Sequence, residues 1–387
     1  MKIGLVLSDT PAFSESFFRN KIKFLQEDGF EVILFVNKHS RKFDLCDFYS
    51  INASSNSLVH KLYSKARAIF RLILAFRKSL KMFSQNKKDG FSLNQNMQSL
   101  FICSHILNHK LDWIHFGFAT MALNRENLAK TIGAKLAVSV RGYDMYVYPV
   151  KNKNCYNLLW KRIDKLHFIS DFLLRLATEL GFELKKDNHL KITPAIDTTK
   201  FLYVEQRNNP IIEILTVARL NWIKDIANTL LALKKLKDSG TRFIYYVIGD
   251  GEEWEHLTVE IHELGLHDEV KLLGKRPQNE IIDYLNRADI YIQFSLLEGF
   301  CNSALEAQAT GCITIVSDAE ALTENIIINE TGFVVERRNS DMLLQRIVEA
   351  INLSPADRVK MTSRASQRVQ QQFNLEQQLA LFKQFYI

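Results

Sequence analysis

The sequence predicts an α/β fold of two Rossmann-like domains, each with a parallel sheet, that face each other across a deep cleft. The chain has 387 residues, and its 47% hydrophobic content is sufficient for two cores. Apolar segments alternate with amphipathic ones, as strands and helices do in parallel α/β sheets. The alternation stops in a polar stretch at 192–210 and then restarts, which indicates a domain boundary.

The first half opens with the apolar strand KIGLVLS. A helix follows that Ser14 or Ser16 caps and Gly29 ends, and the next strand is EVILFV. Further strands are predicted at WIHFGF, KLAVSV and KLHFIS, the last of which leads into a helix over 171–181. This order is the opening of a parallel α/β sheet.

The second half repeats the pattern after the polar stretch. Its predicted strands are IEILTVA, FIYYVIGDG, EVKLLG, DIYIQFS, ITIVSD and GFVVE. Its predicted helices are IANTLLALKKLKDSG, EEWEHLTVEIHELG, QNEIIDYLNRA, DMLLQRIVEAINL and PADRVKMTSRASQRVQQQF. We place the first domain at 1–200 and the second at 201–372.

Composition argues against disorder, membrane spans and a disulfide framework. There are only six prolines, and apolar stretches such as IFRLILAF are short and interrupted by charge. The five cysteines form no CxxC pair, and their odd number fits reduced thiols. The start MKIGLVLSDT is too short an apolar run for a secretory signal. We therefore expect a cytosolic protein.

The net charge of +7 is unevenly distributed along the chain. Residues 1–190 carry 29 Lys and Arg against 16 Asp and Glu, or +13. Residues 191–387 carry 21 against 27, or −6. The two halves are therefore expected to bind different partners.

The segment SLLEGFCNSALEAQATG contains two glutamates, Glu298 and Glu306, around a predicted helix start. A helix N-terminus binds anions through its free N–H groups and its dipole. The carboxylates could satisfy that helix end themselves, and Ser303-x-x-Glu306 has the pattern of a capping box. They could also bind the hydroxyls of a ligand whose phosphate occupies the helix end.

Other polar groups and glycines follow the neighbouring predicted strands, at the edge where parallel sheets bind ligands. Arg219 and Lys224 could neutralise a diphosphate, although such a pair is also common on solvated surfaces. Gly249 lies in a GDG turn, and Gly299 would allow close approach of the backbone to a ligand. No GxGxxG follows the first strand, so nicotinamide binding is poorly supported. SHILNH lacks the glutamate of HExxH, and no metal site is expected.

The chain resembles the family-four retaining glycosyltransferases, the glycosyl transferases of group 1, which have the GT-B fold. In the second half the matching segments are ILTVARLNWIKD, VIGDGEE, VKLLGK, ADIYIQFSLLEGFCNSALEAQATGCITIVSD and TGFVV. In the first half they are PAFSESFF, WIHFGF, VRGYDMYVYP and ITPAIDTTKF. The resemblance covers nearly the whole chain and is most specific around Glu298 and Glu306. The chain is similar to the transferases of exopolysaccharide and lipopolysaccharide biosynthesis within this family.

The resemblance implies a role for each matching residue. Glu298 would contact hydroxyls of the donor sugar, and Glu306 would hold the ribose of the nucleotide. Arg219 and Lys224 would hold the diphosphate. The remaining donor-binding residues, several acting through their backbone, would be Gly249, Lys275, Gly299, Phe300, Cys301 and Asn302. The final segment, 373–387, would pack back on the first domain as the family's last helix does.

The chain departs from the family at Arg141. Many relatives have histidine in HGxD, whereas this chain has RGYD. Arginine cannot act as a general base near neutral pH, so we expect an electrostatic role on the leaving phosphate or on an acidic sugar. The alternative is an ion pair with Asp144. Acceptor-side loops are expected near Ser14, Glu15, His115 and Asp144.

The implied activity is retaining transfer of a sugar from a nucleotide sugar to a lipid-linked or growing polysaccharide acceptor. No nucleophile stands out, so front-face attack assisted by the leaving diphosphate is expected, with no metal or other cofactor. The alternatives are an epimerase or hydrolase on the same fold, which would need no acceptor, and a protein that binds nucleotide sugars without turnover.

The segment 60–88 is basic and apolar. No acidic residue lies between Asp47 and Asp89, and the interval holds nine cations interleaved with apolar residues. Such a segment is typical of a peripheral contact with an anionic membrane, here the inner face of the plasma membrane. A helix packed in the core with a solvated cationic side is an alternative. Nucleic-acid binding is a third, but no recognition motif accompanies the charge.

Overall fold

The computed structural model describes residues 1–11, 16–40, 42–51, 58–205 and 210–387, with the side chains of all but residues 16, 58, 59 and 61. These residues form two compact units. One consists of Met1–Ile192 and Leu379–Ile387, and the other of Thr193–Gln378. Each unit is a parallel sheet surrounded by helices, as the alternating pattern predicts.

The described strands of the first unit form a seven-stranded parallel sheet in the order β3-β2-β1-β4-β5-β6-β7. Their bounds are β1 Lys2–Leu7, β2 Glu31–Val36, β3 Phe48–Ser50, β4 Trp113–Phe116, β5 Lys135–Val140, β6 Lys165–Phe168 and β7 His189–Lys191. The second unit has the order β10-β9-β8-β11-β12-β13. Its strands are β8 Ile212–Val217, β9 Phe243–Ile248, β10 Val270–Gly274, β11 Ile290–Gln293, β12 Ile313–Ser317 and β13 Phe333–Val335.

The helices of the first unit are α1 Ser16–Glu27, α2 Leu58–Leu74, α3 Phe76–Lys88, α4 Leu93–Cys103, α5 Ala119–Ala122, α6 Leu128–Ile132, α7 Gly142–Tyr146, α8 Tyr148–Lys151, α9 Asn157–Arg162 and α10 Asp171–Glu179. Those that follow are α11 Ile226–Asp238, α12 Trp254–Glu263, α13 Gln278–Arg287, α14 Asn302–Thr310, α15 Ser340–Asn352, α16 Pro355–Gln372 and α17 Leu375–Tyr386. Two short 3-10 helices lie at Trp222–Lys224 and Glu320–Glu324.

The strand order reverses once in each sheet, between β1 and β4 and between β8 and β11. At such a switch point the loops after two neighbouring strands turn to opposite faces and leave a crevice for a ligand. The central strands are buried on both faces, which explains their continuous apolar sequences.

The chain end packs in the core of the first unit. Phe382, Phe385 and Tyr386 are buried there, and the Trp113 Nε1–H donates to the Tyr386 carbonyl at 3.0 Å. The last residues of the chain therefore complete the first unit, although they follow the second in sequence.

The division between the units falls before Thr193, whereas the sequence placed it after residue 200. The connecting stretch binds the second unit: the Ile196 N–H donates to the Phe373 carbonyl at 2.9 Å, and the Val204 N–H donates to the Thr310 carbonyl at 3.1 Å. These backbone hydrogen bonds explain why the stretch belongs to the second unit despite its polar sequence.

The basic segment forms α2 and α3. Eight of its large apolar side chains are exposed, whereas Met82 is buried, so the alternative of a helix packed in the core does not hold for those eight side chains. No helix of the described residues is long and apolar enough to cross a bilayer.

Candidate active site

The candidate active site lies at the carboxyl ends of the strands in the second unit, where the strand order reverses. β8 leads into Arg219 and the 3-10 helix that ends at Lys224, and β11 leads into Glu298. Helix α14 begins shortly afterwards at Asn302. The segments predicted to bind the donor therefore converge at the switch point of this sheet.

Lys224 and Glu298 form an ion pair across this switch point. The ammonium of Lys224 donates to Glu298 Oε2, and the two side chains are only 17% and 15% exposed. Burial lowers the pKa of Lys224, but the Glu298 carboxylate outweighs this effect, so the pKa is raised overall. Lys224 is therefore charged, and Glu298 neutralises that charge in this structure.

Two further cations lie at the same edge of the sheet. Arg219 is exposed, and its charge opposes the protonation of Lys224, which shows that the two cations are close. Lys275 follows β10 and is exposed, with its Nζ 3.0 Å from Asp250 Oδ2. An anionic ligand at this edge would meet three cationic side chains, of which Lys224 and Lys275 are paired with carboxylates in this structure.

Gly249 and Gly251 allow the loops after β8 and β9 to pack backbone against backbone. Gly249 has a φ of +146°, and a Cβ there would lie 1.8 Å from the carbonyl oxygen of Ala218. A Cβ on Gly251 would lie 2.0 Å from the carbonyl oxygen of Leu220. Neither position accommodates a side chain without displacing the loop that carries Arg219.

The capping box predicted at Ser303 and Glu306 is wrong. Helix α14 begins at Asn302 with Cys301 as its N-cap residue, so Ser303 already lies inside the helix. The Ser303 hydroxyl accepts from the Tyr291 hydroxyl at 2.7 Å and donates to the Val217 carbonyl at 3.0 Å. It therefore links the helix start to β8 and β11.

Glu306 is largely buried, and no described residue donates a hydrogen bond to its carboxylate. Burial raises the pKa of Glu306 to about 7. A carboxylate that is neither capping a helix nor paired with a cation can accept hydrogen bonds from a ligand. The carboxylate oxygens of Glu306 are thus available to accept hydrogen bonds from a ligand.

The residues between the two glutamates contribute mainly backbone. Gly299, Phe300 and Cys301 are buried, and the Phe300 ring packs 5.8 Å from that of Phe373. The Cys301 N–H already donates to Asn325 Oδ1 at 3.3 Å, so it is not free for a ligand. Asn302, at the first position of α14, is exposed.

Arg141 follows β5 in the first unit and has an unusual environment. Its guanidinium carbon lies 4.4 Å from the centroid of the Phe17 ring, 5.1 Å from Phe18 and 5.5 Å from Phe118. The Nε and Nη2 atoms are buried and have no acceptor among the described residues. Burial lowers the pKa of Arg141 to about 10, although the charge of Asp144 acts in the opposite direction.

Asp144 does not form the ion pair with Arg141 that the sequence left open. Its carboxylate accepts hydrogen bonds from the Arg141 backbone N–H at 3.1 Å, from the Thr120 N–H at 3.1 Å and from the Thr120 hydroxyl at 3.0 Å. It therefore caps α7 and ties that helix to α5.

His115 lies at the centre of a buried polar network. Its Nδ1 is 2.5 Å from the Tyr386 hydroxyl and 3.2 Å from Lys21 Nζ, and its Nε2 is 2.8 Å from the Ser139 hydroxyl. Burial and the charge of Lys21 hold the pKa of His115 well below its usual range. His115 is therefore a neutral, fully buried group that links β4 to the last helix.

Sequence reasoning missed the partners of His115: Lys21, Ser139, His167 and Tyr386. Ser139 bridges the two histidines, with His167 Nδ1 at 2.7 Å from its hydroxyl. The available signal was a polar residue within each of three otherwise apolar strands, β4, β5 and β6. Ser14 and Glu15, expected on the acceptor side, lie outside the described residues.

No group of three or more His, Cys, Asp or Glu side chains that could hold a metal ion occurs within the described ranges. His105 is buried, and the ring of His109 packs against Phe35 and Tyr49. The histidines of SHILNH therefore belong to the hydrophobic layer behind the first sheet.

Residues 200–368 match the family model of glycosyl transferases group 1. This range contains both glutamates, the ion pair and the two packing glycines. Over this range, the chain is similar to the glycosyl transferases of group 1.

Two curated proteins are similar to this chain along nearly its whole length. The amylovoran biosynthesis glycosyltransferase AmsK of Erwinia amylovora is 26% identical, with 97% of this chain and 96% of that protein covered. The putative colanic acid biosynthesis glycosyltransferase WcaL of Escherichia coli K12 is also 26% identical, with the same coverage.

A solved structure of Anabaena Alr3699/HepE in complex with UDP-glucose matches with a TM-score of 0.70 and 15% identity, covering 99% of each chain. This likeness shows the fold of the chain, which is GT-B.

Proposed function

We propose that this chain is a group 1 glycosyltransferase that transfers a sugar, with retention of anomeric configuration, from a nucleotide sugar to an acceptor in surface polysaccharide biosynthesis. The names of AmsK and WcaL assign those proteins to amylovoran and colanic acid biosynthesis, and HepE binds UDP-glucose. These relatives support both the donor class and the biosynthetic role.

The observation that carries the proposal is the arrangement at the switch point of the second sheet. A buried Lys224–Glu298 pair lies beside the start of α14, and an unpaired Glu306 lies one turn further along the helix. Cations suit a diphosphate, and carboxylates suit the hydroxyls of a sugar and a ribose. A nucleoside diphosphate sugar contains all three of these groups.

In this proposal, each residue keeps the role that the family resemblance implies. Lys224 and Arg219 hold the diphosphate, and the N–H groups at the start of α14 add donors to it. Glu298 then exchanges its bond with Lys224 for hydroxyls of the donor sugar, and Glu306 accepts from the ribose. Lys275 and the backbone after β10 flank the base.

The transfer step is proposed to follow the front-face route. The bond between the anomeric carbon and the diphosphate oxygen breaks while the acceptor oxygen bonds to the same face of that carbon. The acceptor proton passes to the departing diphosphate. The enzyme lowers the barrier by stabilising the charge on the leaving diphosphate and by holding the two reactants in place. No metal or other cofactor is part of the proposal, and activity unchanged by EDTA would support this.

Arg141 is proposed to act electrostatically on an anionic group of the substrates. Its two unpartnered nitrogens and its lack of an ion pair with Asp144 support this role. The expected acceptor is a lipid-linked or growing polysaccharide, and the proposed location is cytoplasmic, peripheral to the inner face of the plasma membrane. The basic segment 60–88 supports that location.

The test is a thermal-shift screen of the purified protein with UDP-, GDP-, ADP- and CMP-linked sugars. The matched variants are Glu306→Gln, which keeps the side-chain shape, and Glu263→Gln, which changes an exposed glutamate of α12. We expect a rise of several degrees with one nucleotide class in the wild type and in Glu263→Gln, and a much smaller rise in Glu306→Gln. No rise with any of the four classes would refute the donor site.

A second assay separates transfer from hydrolysis and from binding alone. Release of the nucleoside diphosphate is measured from the donor identified by the screen, with and without a polysaccharide or lipid-linked acceptor fraction. Transfer predicts release that depends on the acceptor. Equal release without an acceptor would indicate a hydrolase or an epimerase, and no release in either case would indicate a binding protein.

A further inference from the structure

Helices α2 and α3 expose an unusual number of large apolar side chains. Eight of their residues are 54–67% exposed: Leu62, Tyr63, Ile69, Phe70, Ile73, Leu74, Phe76 and Leu80. Single exposed apolar residues are common, but a cluster along two consecutive helices is a feature of surfaces that contact a partner or a lipid phase.

The opposite face of these helices, which packs on the rest of the first unit, consists mainly of small or polar residues, with Met82 as a large apolar one. On α2 it contains Ser64 and Ala68, and on α3 it contains Ser79, Met82 and Asn86. In a helix that faces water, the apolar side turns inward and the polar side turns outward. On α2 and α3, most of the large apolar side chains that the structure describes are exposed instead.

A buried hydrogen-bond network fixes this orientation of α3. The Asn86 amide donates to Asn96 Oδ1 at 3.1 Å and to the Ser99 hydroxyl at 3.0 Å, and its oxygen accepts from Asn127 Nδ2 at 3.0 Å. Asn127 also donates to Asp89 at 2.7 Å. Rotation of α3 to bury its apolar face would leave these polar groups unpaired, which is costly in a protein interior.

The edge of the apolar face is exclusively cationic. Lys65, Arg67, Arg77, Lys87 and Lys88 are exposed on the same two helices. No acidic residue occurs between Asp47 and Asp89. A protein partner usually meets a rim with charges of both signs, whereas an anionic lipid surface meets a rim of one sign.

Other cations of the segment serve the fold. Arg71 donates to the Ser50 carbonyl at 3.1 Å, Lys78 to the Leu107 carbonyl at 2.8 Å and Lys81 to the Lys130 carbonyl at 3.0 Å. Neutralising these three would disturb the packing of the helices. The exposed cations are therefore the ones that report on lipid binding.

We propose that the outer face of α2 and α3 inserts into the interface of an anionic bilayer, with its apolar side chains at the acyl chains and its cations at the headgroups. Binding is thus hydrophobic as well as electrostatic, and it orients the first unit with this face towards the membrane. This inference deepens the membrane location given under the proposed function. Its choice of an anionic bilayer as the partner rests on that location. Its test needs no donor, acceptor or activity.

The experiment measures co-sedimentation with vesicles of phosphatidylethanolamine and phosphatidylglycerol, and with vesicles of phosphatidylcholine alone. An apolar variant carries Phe70→Ser, Ile73→Ser and Leu80→Ser. A cation variant carries Lys65→Gln, Arg67→Gln, Lys87→Gln and Lys88→Gln. A control variant carries Leu184→Ser, Leu202→Ser and Val259→Ser, which are exposed to a similar extent elsewhere in the chain.

We expect the wild type and the control to bind the anionic vesicles equally. The apolar variant should bind at least about tenfold more weakly, because each large side chain contributes apolar area to the bound state. High salt should abolish most of the effect of the cation variant but not that of the apolar variant, since insertion is not screened. All variants should melt at the wild-type temperature, since the changed residues are exposed.

Equal binding by the apolar variant and the wild type, or no binding by the wild type, would overturn the proposal. A wild type that is dimeric, with an apolar variant that is monomeric and no vesicle binding in either, would assign the face to a second copy of the chain. The nucleotide thermal shift is measured on the same variants. A nucleotide thermal shift without vesicle binding would overturn only the membrane inference. Vesicle binding by a wild type that shows no nucleotide thermal shift would overturn only the donor site.

Discussion

The pair of Lys224 and Glu298 is the residue-scale feature that links the sequence motif to chemistry. Seventy-four positions separate the two residues, yet both emerge at the switch point of one sheet. Each side chain removes the cost of burying the other. A ligand with both a diphosphate and sugar hydroxyls can replace each residue as the partner of the other: the diphosphate binds Lys224, and the hydroxyls bind Glu298.

Disruption of this pair should affect stability and donor binding differently. Lys224→Met and Glu298→Gln should each lower the free energy of unfolding by about 1–2 kcal/mol, because each leaves a buried partner unpaired. The double variant should be less destabilised than the sum of the single variants. Donor binding should be lost in both single variants and in the double variant, because each lacks the charge of Lys224, the charge of Glu298 or both.

Chemical denaturation of the four proteins, together with the nucleotide thermal shift, measures both effects. Additive losses of stability would show that the interaction between Lys224 and Glu298 does not contribute to the free energy of unfolding. Donor binding at wild-type affinity in the double variant would contradict the role of both residues.

Glu306 should make donor binding dependent on pH. Its pKa is raised to about 7, and ribose hydroxyls donate best to its ionised form. Affinity should therefore fall as the pH decreases below about 7, by up to about tenfold per pH unit. Isothermal titration between pH 5.5 and 8.5 measures this dependence. Glu306→Gln should bind weakly at every pH, and a pH dependence retained in that variant would assign the titration to another group.

The same group should affect the stability of the unliganded protein in the opposite direction. Because the folded pKa lies above the unfolded value, the folded state holds the proton more tightly. Its contribution to stability is therefore complete below the unfolded pKa and is lost as the pH rises through about 7. Glu306→Gln should melt a few degrees above the wild type at pH 8, and at a similar temperature at pH 5. A lower melting temperature at pH 8 would show that the ionised carboxylate is already stabilised in the protein.

At the scale of elements, the loops after β8 and β9 are positioned by direct backbone packing. The Ala218 N–H donates to the Ile248 carbonyl at 3.0 Å, and the Leu220 N–H donates to the Asp250 carbonyl at 3.1 Å. Gly249 permits this approach at a φ that side chains rarely adopt. The position of Arg219 thus depends on a glycine in the neighbouring loop.

Gly249→Ala should lower the free energy of unfolding by more than about 2 kcal/mol, because its Cβ would overlap the Ala218 carbonyl. Gly240→Ala is the control, since Gly240 also has a positive φ, +83°, but no atom lies within 4 Å of its Cβ. Its cost should be about 1 kcal/mol, from backbone conformation alone. Urea denaturation compares the two, and equal losses would mean that the contact at Gly249 relaxes without cost.

At the scale of the whole molecule, the two units are not two halves of the sequence. Leu379–Ile387 belongs to the first unit, and Tyr386 lies in its core with its hydroxyl 2.5 Å from His115 Nδ1. Burial raises the pKa of the Tyr386 phenol well above its usual range, so the phenol keeps its proton beside the imidazole. The stability of the first unit therefore depends on the last residues of the chain.

Tyr386→Phe should lower the free energy of unfolding by about 1 kcal/mol through the lost hydrogen bond, and Tyr386→Ala by about 3–5 kcal/mol through the cavity as well. Calorimetry that resolves the two units should show the loss in one transition, with the other unchanged. A shift of both transitions by Tyr386→Ala would show that the units unfold together.

Much of the fold could be predicted from the sequence because strands buried on both faces are continuously apolar. KIGLVLS, EVILFV, FIYYVIGDG and ITIVSD all contain strands at the predicted places. The short strands β3 and β7 were not predicted, because their sequences FYS and HLK are not continuously apolar. The pattern allowed Ser303 to be the N-cap of α14, but Cys301 has that position, because the Ser303 hydroxyl bonds to β8 and β11. Contacts between distant segments leave no local signal in the sequence.

The sequence by itself determined the alternation of strands and helices, the GT-B class and the identity of the two glutamates, because these depend on local pattern and motif. Only the tertiary structure decided the pairing of Lys224 with Glu298, the burial of His115 beneath the last helix and the outward direction of the apolar face of α2 and α3. The amphipathic pattern of a helix shows that it has two faces. Which face turns inward is decided by the hydrogen bonds that its neighbours offer, here by Asn96, Ser99 and Asn127.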